Sequence, residues 1–196
     1  MTPYPSKLKG SRTWERFWGE KTQVKYDFSS TQVNLPTRIS NRIIAWGKEQ
    51  IADEDVYEVG EKFGREDEIH VTVLYGLHDE EPDGTREVVE KERPIVLELG
   101  EVTAFTNNPK FDVIKITVIS PDLRRINKRL KESLEFTSDY PKYQPHCTIA
   151  YVKKGTADQY TGMAPFKGEK IKLDHLVFSS KNGEKTRIRL KGTPKL

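Results

Sequence analysis

Two histidines in this chain sit in the same short phrase. In EIHVTVLYG (Glu68 to Gly76) and QPHCTIAYV (Gln144 to Val152), a His is followed two residues later by Thr and five residues later by Tyr. The residues are His70, Thr72 and Tyr75 in the first copy, and His146, Thr148 and Tyr151 in the second. An unperturbed imidazole titrates near pH ~6.5, so one His can take a proton from an attacking hydroxyl while the other protonates a leaving oxygen. The Thr hydroxyls can donate to non-bridging phosphate oxygens as negative charge builds there. The set suits phosphoryl transfer by in-line displacement. His-x-Thr lacks the carboxylates of a magnesium site and the clustered His/Cys ligands of a zinc site, so no metal and no cofactor is expected.

Strand alternation must position these groups. It places His70, Thr72 and Leu74 on one face and Val71, Val73 and Tyr75 on the other. The second copy divides likewise into His146, Thr148 and Ala150 against Cys147, Ile149 and Tyr151. Both tyrosines are therefore expected to face the core, and Cys147 to be a packed core thiol. His78 and His175 have no Thr at the second following position and are assigned to a loop and a strand.

The surrounding pattern repeats too. SSTQVNL (Ser29 to Leu35) alternates as a half-buried strand, and Pro36 opens a helix carrying Ile39, Ile43, Ile44 and Trp46 at helical spacing. Residues 53–67 are acidic, contain Gly60 and Gly64, and are expected to be a loop. Turn signals fill 78–94, with at most a short helix. Ile95 to Phe105 and Phe111 to Ile119 are β-rich runs around a TNNPK turn. Pro121 opens a helix with Leu123, Ile126, Leu130 and Leu134 on one face. After the second phrase, 154–168 holds a short helical segment and a Gly/Pro-rich loop. Lys170 to Ser180 and Lys185 to Leu190 form a last hairpin around KNGE. A strand-helix-strand unit thus occurs twice, each ending in the His-Thr-Tyr phrase.

The 196 residues fit a single domain, expected over 26–196 behind an N-terminal extension, 1–25. Trp14, Phe17 and Trp18 share a helical face in that extension, suited to covering an apolar patch or the site. The balance of 33 basic and 30 acidic residues, net +3, is too even for stable duplex DNA binding and suits a small anion in a local basic cleft. One cysteine, no run long enough for a membrane span and no signal-peptide core point to a cytoplasmic setting without membrane attachment.

Paired His-x-Thr motifs on symmetry-related strands resemble the two-histidine (2H) phosphoesterase superfamily, which includes 2′-5′ RNA ligase-like proteins, cyclic phosphodiesterases and RNA-trimming enzymes. The resemblance covers about residues 26–192. YDFSSTQVNLP, HVTVLYGLH and HCTIAYVKKG are similar, more narrowly, to the phage and prophage branch of anti-CBASS proteins, which degrade cyclic oligonucleotide messengers of antiphage defence. The resemblance implies an α+β fold: two pseudo-symmetric lobes of antiparallel sheet, helices on the outer faces, and a central groove. It implies metal-independent cleavage of a 3′-5′ phosphodiester by the neighbouring 2′-OH through a 2′,3′-cyclic phosphate. His70 and His146 would be base and acid in an order the symmetry leaves open, and Thr72 and Thr148 would hold the phosphate. A cyclic di- or trinucleotide is the expected partner; short RNA and non-catalytic sequestration of the nucleotide are the alternatives. Tyr26 and Phe28, or Tyr140 and Tyr143, could stack on a base or pack in the core. Lys153, with Lys154, Lys181 and Lys185, could add positive potential.

Overall fold

The computed structural model describes residues 26–59, 62–138 and 142–192. Its centre is one antiparallel sheet. The strands are β1 (Ser29–Asn34), β4 (His70–Leu77), β5 (Ile95–Phe105), β6 (Phe111–Ile119), β7 (His146–Lys153), β8 (Lys170–Leu173), β9 (His175–Ser179) and β10 (Lys185–Arg189). They lie in the order β10-β9-β1-β4-β7-β6-β5-β8. A pseudo-twofold axis between β4 and β7 relates β1 to β6, β9 to β5 and β10 to β8. The N-terminal extension, with Trp14, Phe17 and Trp18, lies outside the described residues, as does Tyr140.

The helices are α1 (Thr37–Gln50), α2 (Asp83–Val89) and α3 (Pro121–Ser133). α1 and α3 back the sheet through their apolar stripes, Ile43 on one and Leu123, Ile126 and Leu130 on the other. Each backs the central strand of the opposite half. Gly47 of α1 sits so close to β7 that an added Cβ would lie 2.6 Å from Ile149 Cγ2. Asn127 of α3 donates to the Val73 carbonyl of β4 at 2.7 Å. Ser120 caps α3, its Oγ accepting from Leu123 N at 3.1 Å.

Two expectations are corrected here. Residues 53–67 hold a 3-10 turn at Asp53–Asp55 and a small ribbon, β2 (Glu58–Val59) with β3 (Lys62–Phe63). The run 170–180 is two strands. It breaks at Asp174, so that β8 pairs with β5 at one edge while β9 pairs with β1 in the other half. The hairpin is β9 with β10 only, and Gly183 supplies the positive φ (80°) in its turn.

β4 and β7 are paired at Val71 opposite Cys147 and then diverge. Other segments take up their edges: Leu77 bridges Phe136, while Arg65 bridges Ala150 and Val56 bridges Val152. The splay curls the sheet into a half-barrel whose concave face lies over the β4–β7 junction.

Candidate active site

Val71 and Cys147, fully buried, point to the helix side. Extending their register by one residue each way sets His70 opposite Thr148 and Thr72 opposite His146. Directly opposed residues on antiparallel strands have Cβ atoms ~4.5–5.5 Å apart. All four polar side chains therefore meet on the concave face within one cross-strand square.

Both imidazoles are fixed in the same way. His70 Nδ1 donates to the Glu68 carbonyl at 2.9 Å, and His146 Nδ1 donates to the Gln144 carbonyl at 2.6 Å. A carbonyl only accepts, so each bond assigns the proton to Nδ1 and leaves proton transfer to Nε2. The two hydrogen bonds repeat the pseudo-symmetry at the level of single atoms.

The tyrosines depart from expectation. The β1–β4 register shifts between Thr31 and Gln32, so Thr31 pairs with Leu74 and Gln32 with Thr72, skipping Val73. Val73 and Leu74 consequently both turn to the core. Leu74 does not share the face of His70, and Tyr75 comes round to that face, half-buried, with its ring 6.2 Å from Phe28. Thr31 stabilises the bulge: Leu74 N donates to its Oγ1 at 3.1 Å, and the hydroxyl donates to Leu74 O at 3.3 Å.

β7 repeats the feature. Ile114 pairs with Ala150 and Lys115 with Thr148, skipping Ile149. Ala150 joins the core, and Tyr151 turns to the concave side. There it is buried in a separate aromatic group with Phe111, Val113, Tyr57 and Phe63. The shared Tyr therefore marks the site face of each half. One copy borders an open aromatic set, half-buried Phe28 stacked on exposed His78 at 5.7 Å. The other is covered by the β2–β3 ribbon.

The remaining candidates separate. Tyr26 and Phe28 lie at the start of β1, on the Tyr75 side, where Tyr26 N donates to Lys181 O at 2.6 Å. Tyr143 is partly buried against the core and its hydroxyl donates to Thr72 O at 3.0 Å, burial holding it well above the usual phenol range. Lys153 is exposed at the far end of β7, opposite Phe111 and away from the square. Lys154 bonds Asp112 at 2.9 Å, Lys181 pairs with Glu80, and Lys185 pairs with Glu68. His78 Nε2 meets Thr137 Oγ1 at 2.8 Å, and His175 bonds its neighbour Asp174.

One residue was missed in the sequence. Lys115, beside Thr148 in the register, is only 6% exposed, donates to Thr103 Oγ1 at 2.8 Å and lies 4.2 Å over the Phe105 ring. Its apolar neighbours in FDVIKITVI concealed it. Burial lowers its pKa. The equivalent position in the other half is Gln32, beside Thr72, whose Nε2 donates to Asn34 Oδ1 at 2.7 Å. Among the described residues, no three His, Cys, Asp or Glu side chains converge as metal ligands.

A family model for the 2′-5′ RNA ligase superfamily matches residues 46–184, most of the chain and both motifs. The chain belongs to the 2′-5′ RNA ligase superfamily, and so to the 2H phosphoesterases. No curated protein matches it by sequence. Among solved structures, TT0787 of Thermus thermophilus is similar at a TM-score of 0.60 and 16% identity, over 85% of this chain and all of that one. E. coli LigT complexed with 3′-AMP follows at 0.57 and 15%, over 84% and 94%. Kluyveromyces marxianus Usb1 is similar at 0.54 and 10%, over 83% and 97%. At such identities the superfamily's half-barrel is what these structures share with this chain.

Proposed function

We propose that the chain is a metal-independent phosphodiesterase that cleaves 3′-5′ bonds of cyclic oligonucleotide signals. The reading is carried by one observation: two imidazoles, each fixed through Nδ1 by the carbonyl two residues earlier, face two Thr hydroxyls across one strand junction. One His takes the proton of the ribose 2′-OH as O2′ bonds to phosphorus. The other protonates the departing O5′, so the P–O5′ bond breaks and a 2′,3′-cyclic phosphate forms. Water then opens the ring with the roles exchanged. Thr72 and Thr148 donate to the non-bridging oxygens.

The choice of a cyclic substrate rests on the likeness of YDFSSTQVNLP, HVTVLYGLH and HCTIAYVKKG to the anti-CBASS branch. It is supported by half-buried Phe28 and Tyr75 and exposed His78 beside the square, which suit stacking on a base. That similar structures hold 3′-AMP and uridine monophosphate agrees with a nucleotide site. Such an enzyme in a host cytoplasm would remove the messenger of antiphage defence.

A panel of cyclic dinucleotides and trinucleotides, incubated beside short linear RNAs and resolved by mass spectrometry, tests the substrate class. Opening of at least one cyclic substrate to 2′,3′-cyclic phosphate products is expected. Consumption of linear RNA alone would overturn the cyclic reading in favour of an RNA-end enzyme, and unchanged ligand recovered from a denatured complex would favour sequestration.

A further inference from the structure

The pseudo-symmetry of the motifs is broken by the charges around them. His146 packs edge-on against Phe105, with ring centroids 4.9 Å apart, and the ammonium of Lys115 lies over the same ring at 4.2 Å. Lys115 is directly opposite Thr148, and Thr117, opposite His146, donates to the Glu101 carbonyl. The Glu101 carboxylate is paired with Lys167 at 2.7 Å. From α3, Arg124 donates to the carbonyl of Tyr143, on the loop before β7, at 3.2 Å. Among the described residues, no carboxylate lies within ion-pair distance of Lys115, although it is nearly buried.

His70 has different company. Asn34, opposite it on β1, donates through Nδ2 to Glu68 Oε1 at 2.5 Å, and Lys185 pairs with the same carboxylate. Gln32 stands where the other half has Lys115, neutral where that half is cationic. The His70 half therefore contains a carboxylate balanced by one lysine, while the His146 half contains a buried ammonium with no carboxylate against it among the described residues.

We infer that Lys115 makes the two histidines inequivalent, so that His146 is the base and His70 the acid in the attack of the 2′-OH. A neighbouring cation disfavours a protonated imidazole, which keeps His146 ready to accept the 2′-OH proton. As O2′ bonds to phosphorus, the proton moves to His146 and the charge gathering on the non-bridging oxygens meets the ammonium of Lys115. His70, beside the Glu68 group, enters as the imidazolium and gives its proton to O5′ as the P–O5′ bond breaks. Burial of an unbalanced ammonium costs stability, and an anionic substrate supplies the missing partner. The inference rests on the phosphodiesterase reading and adds direction to it.

Cleavage of two substrates distinguishes them. Adenylyl-(3′→5′)-adenosine needs its leaving O5′ protonated; adenosine 3′-(4-nitrophenyl phosphate) does not, because 4-nitrophenolate departs as the anion. H70A is expected to lose ~10²–10⁴-fold on the dinucleotide but far less on the nitrophenyl ester, whereas H146A loses comparably on both. The ratio within each variant cancels any loss of folded protein. K115M, close in shape but uncharged, is expected to lose ~10–10³-fold in kcat/KM on both while melting no lower than the parent chain. Selective rescue of H146A by the nitrophenyl ester, or an unaltered kcat/KM in K115M, would overturn the inference and leave the phosphodiesterase reading standing. A parent chain that cleaves neither these esters nor any cyclic dinucleotide or trinucleotide would overturn both.

Discussion

At the scale of single residues, the site depends on placement more than on unusual chemistry. A carbonyl two residues before each His fixes the ring, and the neighbouring strand brings the Thr. T148V keeps the shape of the strand while removing the hydroxyl; it should lower kcat by ~10–10³-fold with little change in melting temperature, read by steady-state kinetics and thermal unfolding. A base and an acid together require a kcat/KM–pH profile with two limbs: the rate rises as the base loses its proton and falls as the acid loses its own. A single-limbed profile in the parent chain would remove one His from the mechanism. These four side chains were legible in the sequence because the His-x-Thr spacing survives any strand geometry that keeps two residues on one face. Lys115 was not, since a lysine in an apolar run looks the same whether it snorkels to solvent or is buried beside Thr103 and Phe105.

At the scale of elements, strand alternation failed where a partner strand imposed a bulge. Val73 and Ile149 are skipped in the pairing, and this alone moves Tyr75 and Tyr151 from the expected core side to the concave side. A bulge depends on the register of a strand distant in the chain, and no local pattern contains that register. A second irregularity of β4, at Gly76, is equally specific: Ser29 pairs with Leu77 and Ser30 with Tyr75. Gly76 has φ 92°, and an added Cβ would clash with the Thr137 carbonyl, so G76A should destabilise the fold by about 2–4 kcal/mol and shift the urea midpoint accordingly. The start of α3 carries a second structural group. Asp122 is buried to a large extent, which on its own would raise its pKa. Hydrogen bonds from Arg125 at 2.6 Å, Val96 N at 2.9 Å and Arg93 at 2.9 Å outweigh that and hold the carboxyl below its usual range. Its folded pKa is depressed, so its contribution is present above the unfolded value near ~3.9 and is lost as pH falls through the folded one. D122N should therefore cost about 1–3 kcal/mol at neutral pH and progressively less in acid, as measured by denaturant unfolding across that range.

At the scale of the whole molecule, the repeated strand-helix-strand unit was legible because apolar periodicity and Pro placement mark both copies. The meeting of the two phrases depends on a feature they do not encode: β4 and β7 pair over a single junction and then splay, with residues 135–137, 56–57 and 64–66 occupying the vacated edges. The break at Asp174 that sends β8 and β9 to opposite halves was likewise invisible in a continuous β-rich run. The resulting half-barrel has one aromatic flank open to solvent, with Phe28 and Tyr75 half-buried and His78 exposed, and one closed under Tyr57 and Phe63. The central claim is that this junction breaks a phosphodiester with two histidines and no metal. It is tested most directly by following a 3′-5′ linked adenylate substrate in EDTA by phosphorus NMR, for the parent chain, H70A and H146A. The account predicts a 2′,3′-cyclic phosphate resonance from the parent chain at full rate and none above background from either variant; loss of activity in EDTA with rescue by added zinc or magnesium, or undiminished turnover in either variant, would contradict it.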